Sequence, residues 1–348
     1  MSINFSRRQV LGSMGAIGLS AIAPKASAAE VKLKISNFLP PRHGFTADFM
    51  APWAKELEER TNGAVEVEVL DATSAFGKIA RQADQVRAGV VDVALGLNGI
   101  PRDRYTSASI IELPFLVENA SSGSHALWEL YKAGALGNDY ADFKVLGLFT
   151  HHGGLFHTID KPVEKLEDLA GLRLRTPSPA VSAMLEAVGA SPVGMPPAAI
   201  YENLQKGNLD GVITTWDLVG AIKVNELIKY HTDARAYVAG FHVVMNQRKF
   251  DSLPQDIADV IDEMSGDSLV AKFGAWWDKW DARGKKDAVE RGNNIIEVSA
   301  DVRNAWREQL GPMTNAYLEK MSGQGVKDPK ALYARAQELV AKFDALKS

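Results

Sequence analysis

The feature that most constrains this chain is a strand–helix alternation that runs through it twice, each pass closing on the same short phrase. Residues 31–35 alternate apolar and polar positions, with Val31, Leu33 and Ile35 on one face, and residues 65–69 do the same. Residues 90–97 form a nearly continuous apolar run, the pattern of a strand buried on both faces in a parallel sheet. Between them, 45–60 carries helical spacing and ends at Thr61-Asn62-Gly63, and 79–88 carries it again and stops at Gly89. Strand, helix, strand, helix, strand specifies an α/β unit with a parallel sheet. The second pass starts at Leu172-Arg-Leu-Arg175, with helices over 178–188 and 197–206 closed by Gly189 and Gly207, and a strand at 212–215. The shared phrase is Gln85-Val-Arg-Ala-Gly89-Val-Val-Asp92 and Leu204-Gln-Lys-Gly207-Asn-Leu-Asp210. Each places a glycine at a helix end, where the left-handed turn favours it, and an aspartate three residues on that can bond nearby backbone. The chain is therefore expected to build two similar α/β lobes.

The C-terminal third reads as helix. Residues 254–291 keep apolar positions at helical spacing, enough for one helix of about 50 Å bridging both lobes, with Gly266 and Gly274 as points where it bends or breaks. Two further helices are expected over 302–321 and 329–346. With 348 residues there is room for two lobes. The first is expected over 29–150, completed by about 238–280. The second is expected over 151–237, completed by about 281–348. The absence of cysteine excludes disulfides, thiolate metal sites and a cysteine nucleophile. A formal charge of −4, with no basic stripe, argues against a nucleic-acid partner.

Residues 1–28 read as an export address. Ser6-Arg7-Arg8-Gln9-Val10-Leu11 is a twin-arginine pattern, 10–24 carries no charge, and Ala26-Ser27-Ala28 supplies small residues for cleavage before Ala29. The apolar stretch is shorter than the roughly 20 residues of a spanning helix. The paired arginines favour the route that carries folded proteins, although they also occur on ordinary secretory signals. Loss of Arg7, Arg8 and Lys25 on cleavage would take the formal charge from −4 to −7. A bacterial periplasm is the expected destination.

The chain carries no Gly-rich phosphate loop, zinc-protease motif or nucleophile elbow. His151 and His152 are adjacent, and adjacent strand residues point to opposite faces, which disfavours a joint metal site. No acid–base pair can be placed, so no catalytic residue, metal or cofactor is assigned. Trp276, Trp277 and Trp280 suit core packing of the long helix. The stronger lead is Leu172-Arg-Leu-Arg175. An arginine at the C-terminal end of a strand lies where open sheets bind ligands, and a guanidinium suits a carboxylate bidentately. A surface salt bridge accounts for the spacing equally well.

Taken in order, Asp168-Leu-Ala-Gly-Leu-Arg-Leu-Arg175, Val188-Gly-Ala-Ser-Pro-Val193 and Tyr201-Glu-Asn-Leu-Gln-Lys-Gly-Asn-Leu-Asp-Gly211 resemble the solute-binding (DctP-like) subunit of TRAP transporters. Leu113-Pro-Phe-Leu116, Val243-Val-Met-Asn246 and Leu253-Pro254 extend the resemblance along essentially all of the chain after residue 28. It implies a periplasmic binding protein fold, type II-like, of two α/β lobes joined by crossing strands and a long helix. Such a receptor closes on an organic acid and delivers it, as a monomer, to a sodium-coupled TRAP permease. Matching positions put the carboxylate-holding arginine at Arg175 and leave Arg173 exposed. They offer Asn37, Asn98, Thr214 and Asn246 as polar contacts, with Trp216 and Asp217 close by.

Two departures from the family's pattern refine the expectation. Where many dicarboxylate receptors carry a second arginine, this chain reads His151-His-Gly-Gly-Leu-Phe-His157. A second buried carboxylate would lack a cation, so a monocarboxylate is expected, with His152 as a further donor. Phe38, Phe76, Phe156 and Trp216 offer apolar walls for an aromatic or branched side group, and each also suits plain core. The second departure is the lack of Asp or Glu in 236–247. With Asp217 the only nearby acid, a hard cation would find too few oxygens. A receptor serving a sensor kinase, and an enzyme on the same scaffold, are the alternative readings.

Overall fold

The computed structural model describes residue 1 and residues 29–346, so the export-signal reading of 1–28 lies outside the described residues. Eleven strands form two sheets: β1 Val31–Ser36, β2 Val65–Leu70, β3 Val93–Leu97, β4 Phe143–Thr150, β5 Leu155–Thr158, β6 Arg173–Thr176, β7 Ser191–Gly194, β8 Gly211–Thr214, β9 Tyr230–Asp233, β10 Gly240–Asn246 and β11 Asn294–Glu297. The first sheet runs β2-β1-β3-β10-β4 and the second β7-β6-β8-β5-β9-β11. In each, the first three strands are parallel. The fourth lies antiparallel to them. The chain is thus a two-lobed α/β protein whose halves share one strand order, as the repeated phrase predicts.

The phrase itself has a physical role. Gly89 and Gly207 turn with φ of +70° and +69°. The aspartates that follow them reach across to the neighbouring parallel strand. Asp92 Oδ2 accepts from the Lys34 amide at 2.8 Å, and Asp210 Oδ2 accepts from the Arg173 amide at 2.7 Å. Each carboxylate thereby fastens the start of a central strand to its neighbour.

Several expected elements are revised. The run 90–97 is strand only from Val93, because Val90 sits in the turn after Gly89 and is 48% exposed. The helix expected over 254–291 is three: Gln255–Glu263, Asp267–Val270 and Phe273–Glu290. It breaks where the Met264 carbonyl is taken by Trp53 Nε1 at 3.1 Å. Gly266, at φ +60°, turns its amide onto the Leu146 carbonyl of β4 at 2.7 Å. These partners outside the helix replace those inside it. The helix expected over 302–321 divides into Ala300–Gln309 and Gly311–Gly323, where Pro312 starts a new first turn. Helix Pro329–Ala345 packs on helix Ala120–Lys132 of the first sheet's outer layer, with Asn119 Nδ2 donating to Asp344 at 2.6 Å.

Helix Phe273–Glu290 still spans the two halves. Its N-terminal half lays Phe273, Trp277 and Trp280 against Phe45 and Phe149 beneath the first sheet. Its C-terminal half presses Gly284 onto helix Trp216–Ala221 so closely that a Cβ would collide with the Trp216 carbonyl. Gly284→Ala should therefore lower unfolding stability by about 2 kcal/mol or more. Gly323→Ala, a helical glycine with open space around it, should be neutral or gain up to about 1 kcal/mol. Denaturant titration of the two variants checks the contrast.

Candidate ligand-binding site

Besides the route through the spanning helix from β10 to β11, two short stretches of chain cross between the sheets, β4 to β5 and β9 to β10. They run side by side: the Gly154 amide donates to the Tyr237 carbonyl at 2.7 Å and the Ala236 amide to the Gly154 carbonyl at 2.8 Å. Gly153 and Gly154 have no room for side chains, because a Cβ at either would strike Arg235 or the ring of Tyr237. This pairing places Tyr237 and Ala239 at the floor of a cavity between the lobes. Phe38, Leu39, His43, Phe45 and Leu97 line it from the first half, Arg175, Pro177, Pro197, Thr214 and Leu218 from the second, and Trp277 from the spanning helix.

Among the described residues Arg175 is the one arginine or lysine lining the cavity. It stands near the C-terminal end of β6 and is 2% exposed. Its Nε donates to the Met195 carbonyl at 3.1 Å and its Nη1 reaches the Ile213 carbonyl at 3.5 Å. A guanidinium has five N–H donors, and no carboxylate among the described residues pairs with it. Burial pushes it down to about 10, so it remains charged at neutral pH. Arg173, two residues earlier, is exposed and holds Asp210. A second donor is present in Trp277, whose indole N–H is buried with no acceptor among the described residues.

Around this pair the polar groups are arranged to stay neutral or paired. His151 accepts from the Ala239 amide at 2.9 Å through Nε2 and contacts the His152 carbonyl through Nδ1. Burial pushes it down to about 4, so it is an uncharged wall. His43 Nδ1 accepts from the Phe45 amide at 3.2 Å, which leaves the proton on Nε2, 2.9 Å from Asp217 Oδ2. Asp217 Oδ1 accepts from Thr215 Oγ1. Thr214 is held from behind by His157, whose Nε2 lies 3.3 Å from the Thr214 carbonyl and whose Nδ1 meets His231 Nδ1 at 2.7 Å.

Of the residues offered from the sequence as ligand contacts, the structure brings Arg175, Thr214 and Phe38 to the cavity, and Asp217, noted there as close by, lines it too. The others lie elsewhere, for identifiable reasons. Asn37 folds its own loop, accepting from the Leu39 amide at 2.8 Å. Asn98 is buried against His242 Nδ1 at 2.7 Å. Asn246 caps helix Gln247–Asp251 and donates to the Val86 carbonyl at 2.7 Å. His152 is a correction: its Nδ1 accepts from the Ala120 amide at 3.0 Å and its Nε2 meets Asp278 at 2.9 Å in an outer groove, while its neighbour His151 faces the cavity. Trp216 lies over His157 and His231 and lines that same outer groove. Phe156 packs against Trp306 in the core, and Phe76 lies half-buried on the outer layer of the first lobe. Among residues not predicted, His43 follows the first strand, at the sheet end where ligands bind, so its position was a usable signal. Tyr237 sits on a crossing segment with no periodicity to mark it.

Among the described residues no cluster of three or more His, Asp or Glu could hold a metal, and no helix is long and apolar enough to cross a membrane. The profile of bacterial extracellular solute-binding protein family 7 (DctP) matches residues 35–320. A TRAP solute-binding protein from Rhodoferax ferrireducens T118, solved with copurified benzoate, superposes with a TM-score of 0.86 at 32% identity over 91% of this chain and 99% of that one. A marine-metagenome TRAP solute-binding protein specific for aromatic acid ligands, solved with 3-hydroxybenzoate, gives a TM-score of 0.86 at 32% identity over 90% and 98%. The C4-dicarboxylate-binding periplasmic protein DctP of Rhodobacter capsulatus is 26% identical over 94% of this chain and 99% of its own length. The fold, the closed inter-lobe cavity and these matches together place the chain in the bacterial extracellular solute-binding protein family 7, the TRAP-type receptors, which bind small organic acids rather than transform them.

Proposed function

We propose that this receptor captures one small aromatic monocarboxylate in the periplasm and delivers it to a TRAP-type sodium-coupled permease. The observation that carries this reading is Arg175, a buried cation with no carboxylate among the described residues paired with it, set in a cavity whose other walls are mostly apolar and aromatic. A carboxylate at the guanidinium supplies the missing countercharge. Phe38, Phe45, Tyr237, Phe241 and Trp277 supply faces and edges for a ring. The solved neighbours carrying benzoate and 3-hydroxybenzoate support an aromatic acid over the C4-dicarboxylate named for a more distant relative. The twin-arginine pattern at Arg7 and Arg8 supports export.

Arg175 is too enclosed to be reached from solvent, so the lobes separate to admit the ligand and close on it. In this reading lobe I is 29–150 with about 238–280. Lobe II is 151–237 with about 281–348, its last helix leaning on lobe I. Thr214 and Phe38, one from each side, are the contacts retained with Arg175 from the sequence expectations.

Arg175→Met should weaken benzoate binding at least about 30-fold, the effect of leaving a buried anion unpaired. Isothermal titration showing affinity within threefold of the native protein would overturn the assignment. In a thermal-shift series at ligand concentrations near 100 times Kd, aromatic monocarboxylates should stabilise the fold by about 2.7 kcal/mol. Succinate and malate should leave the midpoint unmoved. A shift with dicarboxylates alone would reject the monocarboxylate reading.

A further inference from the structure

Among the described residues Asp217 is the one carboxylate lining the cavity that holds Arg175. It is 8% exposed. Both of its oxygens accept hydrogen bonds, from Thr215 Oγ1 and from His43 Nε2, which is the pattern of an ionised carboxylate. Its own amide donates at 2.9 Å to Asp281. Burial, with Asp217 beside it, pushes Asp281 well above the carboxylate range. Arg175 and Asp217 line the same cavity. Among the described residues no lysine or arginine pairs with Asp217: His43 accepts at Nδ1 from the Phe45 amide and meets Asp217 through Nε2, and His151 has both nitrogens engaged.

We propose that Asp217 is a specificity-determining residue, a fixed negative charge that rejects a second carboxylate on the ligand and accepts a hydrogen bond from a neutral donor at the same position. The proposal rests on the monocarboxylate reading and deepens it. The absent second arginine explains why a dianion gains nothing. Asp217 adds an active penalty, since a second carboxylate would have to lose its water beside a like charge with no cation in the lining to meet it. Discrimination between ligands of equal shape then comes from a repulsive element as well as an attractive one. A donor such as an amide or phenolic hydroxyl finds a lone pair free on Asp217, because a carboxylate offers about four acceptor sites and two are engaged.

The test compares two ligands that differ in charge and hardly in size, 3-carbamoylbenzoate and isophthalate, by isothermal titration at pH 7.5 with benzoate as reference. The native protein should bind the amide at least tenfold more tightly than the dianion, and in Asp217→Asn that ratio should collapse to below threefold. A native ratio under tenfold overturns the proposal, as does exclusion of both ligands while benzoate binds, which would mean the filter is steric. An unchanged ratio in folded Asp217→Asn also overturns it. If Asp217→Asn does not fold, Asp217→Ala carries the same criterion, because the native ratio alone does not separate the Asp217 charge from the missing second cation. If benzoate itself fails to bind, the aromatic reading falls, and succinamate against succinate applies the same criterion in the aliphatic series. Failure of every ligand to bind rejects both readings.

Discussion

A buried cation without a protein anion is the constraint on which the rest of this structure depends. Arg175 sits at a strand end with two backbone carbonyls to hold it in place, and carbonyls orient a guanidinium without neutralising it. Removing such a charge from water costs several kcal/mol even after relaxation. The surrounding groups keep that cost standing. His151 is held uncharged, the carboxylate of Asp217 in the same lining is engaged by Thr215 and His43, and the remaining walls are mostly aromatic and aliphatic. A low local dielectric makes an incoming carboxylate worth more to the arginine than it would be at the surface. The cavity is thus tuned by what it withholds from Arg175.

The two-lobed plan was legible because it is written in local signals. The phrase shared by 85–92 and 204–210 marks the same joint twice, a left-handed glycine and an aspartate that fastens a central strand to its neighbour. Side-chain periodicity also located most of the longer helices, but only five of the eleven described strands, β1, β2, β3, β6 and β8. It could not register that helix 254–291 is broken from outside, by Trp53 and by the edge of β4, because those partners lie some 120 to 210 residues away in the chain.

The site was legible only in part, for a related reason. Arg175 and Thr214 stand on strands whose ends point into the cleft, and there sequence position translates into place. Asn37 and Asn98 sit at similar ends and Asn246 at the opposite end of the sheet, where antiparallel β10 finishes beside the start of β3, and each spends its amide on the backbone or on a buried histidine. A polar residue at a strand end can serve the fold or the ligand, and spacing does not say which. His151 and His152 illustrate the parity problem. Alternation says that one of the two faces inward, but which one depends on how the chain leaves β4, set by the pairing of Gly154 with Tyr237.

That pairing has a consequence for how such a receptor can diversify. Tyr237 is at once a stave of the ligand chamber and a rung of the crossing ladder, seated on a glycine that leaves no slack for its ring. A change that reshapes the chamber at this residue also alters the joint about which the lobes turn. New ligand preferences are more freely acquired at walls such as Phe38 or Leu218, which belong to one lobe each, whereas the hinge-borne wall ties what is recognised to how the molecule moves.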